Sequence, residues 1–266
     1  MKIFHEAPIA IFEQVQAVTD GDYALVHLLE QNKKYAEKFQ KAQKQGREII
    51  LDNSVFELGA AFDEELYVHW IKKLQPTWYI VPDVLEDSDA TIQRLERFIS
   101  KYPELPGKRI GVAQGKDLTT FLESFKAANK YCDKVAISFD YSWFESDETP
   151  LPILDPATYM VGRQQLMDYL AQHEYIKADK PVHLLGCYLP QEFKHYREYA
   201  ALIGSIDTSN PCVHGLYEDA YTYDGLNHKR SIKLCDLVDR DVTDTELQTV
   251  MWNIHCFRHF CGEKDL

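Results

Sequence analysis

The stretch "IGSIDTSNP" (203–211) runs from an apolar segment onto a carboxylate, Asp207, and then into a turn of small polar residues. Ile203 and Ile206 read as the tail of a buried strand. The same pattern recurs upstream. Short runs rich in Val, Ile and Tyr occur at "KIFHEA" (2–7), "YALVHLL" (23–29), "EIILDN" (48–53), "TWYIVPDV" (77–84), "RIGVAQG" (109–115), "KVAISFD" (134–140) and "PVHLLGCY" (181–188). Helical patterns separate them, at 32–45, 63–74, 87–102, 118–130, 156–176 and 191–202. The first ends at Gly46, a helix stop, and the second begins with acids and ends with lysines, as the helix dipole favours. Strand and helix in alternation call for parallel strands joined by crossover helices. Eight such strands predict an α/β fold of the (β/α)8 TIM-barrel type. An open doubly wound sheet is the alternative if the first strand fails to form. Without a linker or repeat, the reading is a single domain over 1–266. Its segment from about 212 to 266 is a loop followed by a short helical C-terminal extension of two helices.

At 266 residues, with 45% apolar and 27% charged residues, the chain has the composition of a globular protein with a sizeable core. No apolar run approaches the roughly 20 residues of a membrane span. "MKIFHEAPIAIFEQ" breaks its apolar residues with His5, Glu6 and Pro8, so no secretory signal is expected. The six cysteines are scattered and read as reduced thiols. The expectation is a cytoplasmic protein with no membrane partner. A formal charge of −13 argues against general affinity for nucleic acid, so a nucleic-acid substrate must meet a local basic patch.

Polar groups stand at the carboxyl ends of several runs: His27, Asp52, Asp83, Gln114, Asp140 and Asp207. In barrels and open α/β sheets that end carries the active site. An Asp after a strand is often just an N-cap. That reading is favoured for Asp140. Asp83 is freer, because Asp87 and Asp89 are better placed to cap the next helix. Asp52 and Asp207 precede long non-helical stretches, which favours function over capping. Gln114, between Ala113 and Gly115, can both donate to and accept from a planar base.

The motifs "LDNSVFELG", "VPDVLED", "IGVAQGKD", "VHLLGCYLP" and "IGSIDTSNP", in this order, resemble the strand ends of the queuine/archaeosine tRNA-guanine transglycosylase superfamily. The compact size is most similar to phage members that modify DNA. The resemblance covers residues 48–211. It implies exchange of guanine for a 7-deazaguanine base, with 7-cyano-7-deazaguanine as the incoming base. By this resemblance Asp207 is the nucleophile and Asp52 a general acid/base. Phe56 and Leu185 pack on the two faces of the base, with Gly186 beside Leu185. Asp83 and Gln114 read its edge, and Ser138 sits near it. The chain departs from the family where Ser54 and Val55 replace two glycines, and where the Cys-x-Cys-x-x-Cys with a later His is missing.

The chemistry suits these residues. Breaking an N-glycosidic bond develops oxocarbenium character, which a carboxylate can trap covalently. A covalent intermediate permits exchange rather than hydrolysis. A second carboxyl moves the proton that differs between leaving and entering bases. The base must leave its stack, at a cost of a few kcal/mol in a duplex, and stacking on Phe56 offsets part of it. The expected substrate is DNA, with tRNA as the alternative. A catalytically silent nucleic-acid-binding subunit and a metal-dependent barrel hydrolase are further alternatives. A homodimer is an admissible state.

Lys229, Arg230 and Lys233 of "NHKRSIK" (227–233) are the candidates for nucleic-acid backbone contacts. The lysines of 33–44 are better read as a solvated helix face. No cofactor is expected. The candidates for zinc are His255, Cys256, His259 and Cys261, whose spacing is not that of a standard finger. His214 reads as a loop residue. The acidic, Pro-containing segment 142–155 reads as a lid.

Overall fold

Each of the eight apolar runs carries a strand. The computed structural model describes residues 1–139 and 156–263, so Asp140 and the whole of the expected lid at 142–155 lie outside the described residues. Residues 1–19 supply β1 (Lys2–His5) and α1 (Phe12–Gln16). The next stretch supplies β2 (Asp22–Leu25), α2 (Val26–Gln31), α3 (Lys33–Lys44), β3 (Ile49–Asp52), α4 (Val55–Leu58), α5 (Glu64–Leu74), β4 (Trp78–Ile80), α6 (Ser88–Lys101), β5 (Lys108–Val112), α7 (Leu118–Tyr131) and β6 (Lys134–Ile137). The last supplies α8 (Pro156–Gln172), β7 (Val182–Leu184), a 3-10 helix (Pro190–Tyr199), β8 (Ile203–Thr208), α9 (Asn210–Gly215), a 3-10 turn (Leu234–Leu237) and α10 (Asp244–Phe260).

The strands form one eight-stranded sheet in the order β1-β8-β7-β6-β5-β4-β3-β2. The ladders β1–β8, β7–β8 and β2 through β6 are parallel. This unbroken order is that of a (β/α)8 barrel. A doubly wound sheet reverses its order at a switch point and is excluded. The strand whose formation decided between them, β1, pairs with β8 in the register Phe4↔Asp207 and His5↔Thr208. Among the described residues no helix is long and apolar enough to cross a membrane.

The chain divides into two compact units, one of Asp20–Ile137 and one of Met1–Thr19 with Ser138–Leu266. In the first, β2 and β3 are buried at every position, as strands covered on both faces must be. Its helices start on side-chain caps from Asn32, Asp63, Asp87 and Asp117. In the second, an apolar cluster joins Ala7, Ile11 and Val15 to Cys212, Val213 and Leu216 of α9, to Leu234 and Leu237, and to Val250 and Ile254 of α10. A Cβ placed on Gly215 would stand 2.5 Å from the Val250 backbone, so α9 and α10 touch through the bare glycine.

Four local expectations are corrected. The run 23–29 is not strand throughout: β2 stops at Leu25 and the chain turns directly into α2, so His27 stands two residues beyond the strand end, buried on a helix. The segment 191–202 is not α-helical. Pro190, Phe193 and Tyr196 are buried at intervals of three, which matches the three residues per turn of the 3-10 helix they form. The residues after Asp207 are not simply a loop, because Pro211 in the first turn starts α9. The C-terminal segment holds a 3-10 turn and one long helix, α10, closed by a capping box from Thr243 and Glu246, rather than two helices.

Candidate functional site

In the unit Asp20–Ile137, Asp83 beyond β4 and Gln114 beyond β5 are tied to each other and to Asn53 just beyond β3. Asp52, the last residue of β3, is buried and accepts through Oδ2 from the Tyr23 hydroxyl at 2.7 Å. Its Oδ1 accepts from the backbone N–H of Ser54. Leu25 is the register partner of Asp52, so Tyr23, two residues back, faces the same side of the sheet. Ser54 takes φ +60° and ψ +24°, the left-handed region that glycine adopts most readily.

Asp83 follows β4 and is buried. Its Oδ1 accepts from Asn53 Nδ2 at 2.8 Å and its Oδ2 from Gln114 Nε2 at 2.7 Å. Burial pushes the Asp83 carboxyl above the usual carboxylate range, against the opposing pull of those two hydrogen bonds. Gln114 is oriented by its other groups. Its Oε1 accepts from the Glu86 N–H at 3.1 Å and its backbone N–H donates to Ser124 Oγ at 3.1 Å. Asn53 links the two strand ends, since its Oδ1 accepts from the Val55 N–H at 3.0 Å while its Nδ2 also reaches Val81 O at 3.2 Å. The result is a buried carboxyl bracketed by two carboxamides, a surface that can satisfy a planar edge of mixed donors and acceptors. Phe56, on α4 just beyond, is 48% exposed.

In the other unit, Asp207 on β8 is buried and held on both oxygens. Oδ1 lies 2.9 Å from His183 Nε2, and Oδ2 accepts from the Gly186 N–H at 3.3 Å. His183 Nδ1 lies 2.8 Å from Ser205 Oγ. An ionised carboxylate only accepts, which places the imidazole proton on Nε2 and makes Nδ1 the acceptor for the Ser205 hydroxyl. Strand register explains the grouping: His183 pairs with Ser205, and Ser205 and Asp207 share one face of β8.

Leu185 and Gly186 leave β7 half-buried. Arg163, wholly buried on α8, donates to their carbonyls through Nη1 at 2.9 Å and Nη2 at 3.1 Å. Its Nε and Nη2 also form a fork on Glu192 at 2.6 and 2.9 Å, and the Tyr196 hydroxyl donates to the same carboxylate. Gly186 has φ +62°, and a Cβ there would stand 2.8 Å from the Phe139 ring.

The site residues predicted from sequence therefore fall into two sets. Asp52, Asp83, Gln114 and Phe56 belong to one unit; Asp207, Leu185, Gly186 and Ser138 belong to the other. Ser138 follows β6 directly and is half-buried. Of the expected phosphate contacts, Lys229 lies 3.8 Å over the Phe139 ring and 5.2 Å over Tyr188. The Arg230 guanidinium stacks on Tyr217 at 4.6 Å, and Lys233 opens the 3-10 turn. The zinc candidates on α10 do not converge: His255 and His259 face outward, while Cys256 is on the buried side of the same helix. Among the described residues, the group of His, Cys and carboxylate side chains that could hold a metal is His214, Asp219 and His228.

Sequence reasoning passed over Tyr23, Asn53, Arg163, His183 and Ser205. Ser205 carried a signal, since period-two alternation puts it on the face of Asp207, whereas Tyr23 and His183 meet their carboxylates only through the register between neighbouring strands. Arg163 carried none beyond being a charged residue in an otherwise helical pattern.

No family model and no curated protein matches the chain. Among solved structures it is similar to a Proteus mirabilis N-acetylneuraminate lyase, with 12% identity, 97% of this chain and 98% of that one covered, and a TM-score of 0.47. A Corynebacterium glutamicum IMP dehydrogenase/GMP reductase-like protein is similar at 9% identity and a TM-score of 0.45, over 100% of this chain and 82% of that one.

Proposed function

We propose that the protein is a guanine transglycosylase that exchanges a guanine in DNA for a 7-deazaguanine base through a covalent Asp207–sugar intermediate. The observation that carries this reading is the setting of Asp207: a buried carboxylate that caps no helix and is aimed by His183 and the Gly186 N–H. A carboxylate fixed in this way can attack an anomeric carbon with little reorganisation. In this reading one oxygen of Asp207 bonds to that carbon as the bond to the guanine nitrogen breaks. The departing base takes a proton from Asp52, whose Tyr23 partner helps to hold it. Asp83 and Gln114 trade their mutual hydrogen bond for bonds to the amino, ring N–H and carbonyl groups that guanine and a 7-deazaguanine share. The incoming base returns its proton to Asp52 and reclaims the sugar from Asp207, so the cycle uses no water and no redox partner. The resemblance of the motif series to compact phage members favours DNA as the carrier.

The test is uptake of labelled guanine by the full chain, offered guanine-containing DNA and tRNA in parallel. Label is expected in DNA, and Asp207→Asn is expected to abolish it. Quenching before exchange is complete should leave a DNA adduct on the peptide that contains Asp207. Label in tRNA alone would move the reading to the tRNA reaction. Absence of label from both, or full activity in Asp207→Asn, would overturn it.

A further inference from the structure

We propose that His214, Asp219 and His228 form a binding site for one divalent transition-metal ion of the zinc type. The inference is independent of base exchange. His214 lies on α9, and Asp219 and His228 on the segment that follows it, within one unit. One ligand atom from each lies within 4.8 Å of the others. His214 Nδ1 and His228 Nε2 both address the same atom, Asp219 Oδ2, at 2.7 and 3.1 Å. Around a tetrahedral ion with bonds of about 2.0–2.2 Å, neighbouring ligand atoms stand about 3.3 Å apart. The three donors thus need only small side-chain rotations to open around an ion.

Their protonation also fits. Burial lowers the pKa of His214 despite the hydrogen bond to Asp219, and the neutral imidazole is the form that ligates. The Asp219 carboxyl is held below the usual carboxylate range: burial raises it, but the hydrogen bond from His214 and the nearby charge of Arg230 outweigh that. Two imidazoles and one carboxylate suit zinc and leave a fourth position open, whereas calcium and magnesium prefer oxygen alone.

Arg230 is the competitor. Its Nε lies 3.4 Å from Asp219 Oδ2, and its backbone N–H donates to His214 Nε2 at 3.4 Å. Ligation through Nδ1 moves the imidazole proton to Nε2 and gives up that long bond. The guanidinium keeps its seat on Tyr217. An ion here would tie α9 to residues 219–228 and raise stability by mass action.

The full chain, stripped with a chelator and dialysed, is titrated with zinc against a chromophoric competitor and separately with cobalt(II). One ion per chain is expected, with visible ligand-field bands of a tetrahedral nitrogen and oxygen site and a zinc-dependent rise in Tm. His228 is exposed, so His228→Gln should fold normally; it and Asp219→Asn should each weaken binding at least about tenfold. Failure to bind in the micromolar range would mean a hydrogen-bonded cluster only. Undiminished binding by both variants, or a thiolate-to-cobalt charge-transfer band, would put the ion elsewhere. Each result would overturn the assignment.

Discussion

His183 Nε2 lies 2.9 Å from Asp207 Oδ1, and both side chains are buried. The carboxylate fixes which tautomer the imidazole adopts, and the Ser205 hydroxyl donates to the other ring nitrogen. The arrangement makes His183 a positioning residue for the proposed nucleophile.

Replacing His183 by Ala should leave a buried carboxylate and a buried hydroxyl each short of a partner. Loss of one hydrogen bond to a charged group is worth about 1.5–3 kcal/mol, or roughly ten- to a hundredfold in rate. The expected result is a fall of that size in kcat for base exchange, with KM for the base little changed. His183→Gln can still donate to Asp207 and should recover part of the loss. A purely structural role for His183 would lower Tm in both variants but leave the kcat of the folded enzyme intact.

The Arg163–Glu192 pair should be equally demanding. Both side chains are wholly buried, and the guanidinium also holds the Leu185 and Gly186 carbonyls. Arg163→Met strands Glu192 and two carbonyls, with an expected cost of about 3–5 kcal/mol in chemical denaturation. Arg163→Met with Glu192→Leu removes the stranded charge and should recover much of that. If the single variant costs no more than the double, the charge is not what the fold depends on.

Much of this was legible from period and composition, and the residues show why the rest was not. Each of the eight apolar runs carries one of the eight strands, since a parallel sheet covered on both faces needs such runs. Capping and site roles fall to different aspartates: Asp63, Asp87 and Asp117 start helices, while Asp52, Asp83 and Asp207 bond to side chains or non-helical N–H groups. The end of β2 is not legible because "YALVHLL" is equally apolar as strand or helix, and the switch at Leu25 leaves no Gly or Pro behind. Pro190–Tyr199 was misread because its inward residues at intervals of three also fit an α-helical stripe over so short a span. Asn53 and Arg163 could not be found, since their partners lie 29–30 residues away along the chain.

Gln114→Glu puts a second carboxyl where an amide N–H now meets Asp83 at 2.7 Å. Two carboxylates that close cannot both ionise, so one must keep a proton. Asp83 is already raised by burial. A carboxyl with a raised folded pKa supports the fold below its unfolded pKa and loses that support as pH rises through the folded value. The variant should therefore be close to wild type near pH 4 and fall behind it toward pH 7, by about 3 kcal/mol in denaturant midpoints converted to stability. A gap that does not change with pH would mean that Asp83 and residue 114 do not share a proton.

His5 predicts the opposite slope. Its ring is fully buried against Phe257, at 5.6 Å between centroids, and neither ring nitrogen has a hydrogen-bond partner among the described residues. Burial first, and then the charge of Arg258, lower its pKa from 6.5 to about 3. Arg258 is itself paired with Glu263. The folded chain thus keeps His5 neutral where the unfolded chain takes up a proton. This contribution is intact above about pH 6.5 and is lost progressively as the pH falls toward 3, up to roughly 4–5 kcal/mol at the acid end. His5→Phe keeps an aromatic ring of similar size and removes the titration. Its acid unfolding midpoint should fall to a lower pH, while its stability at pH 8 should equal or exceed that of the wild type. If acid unfolding is unchanged, protonation of His5 is not what opens the packing of β1 against α10.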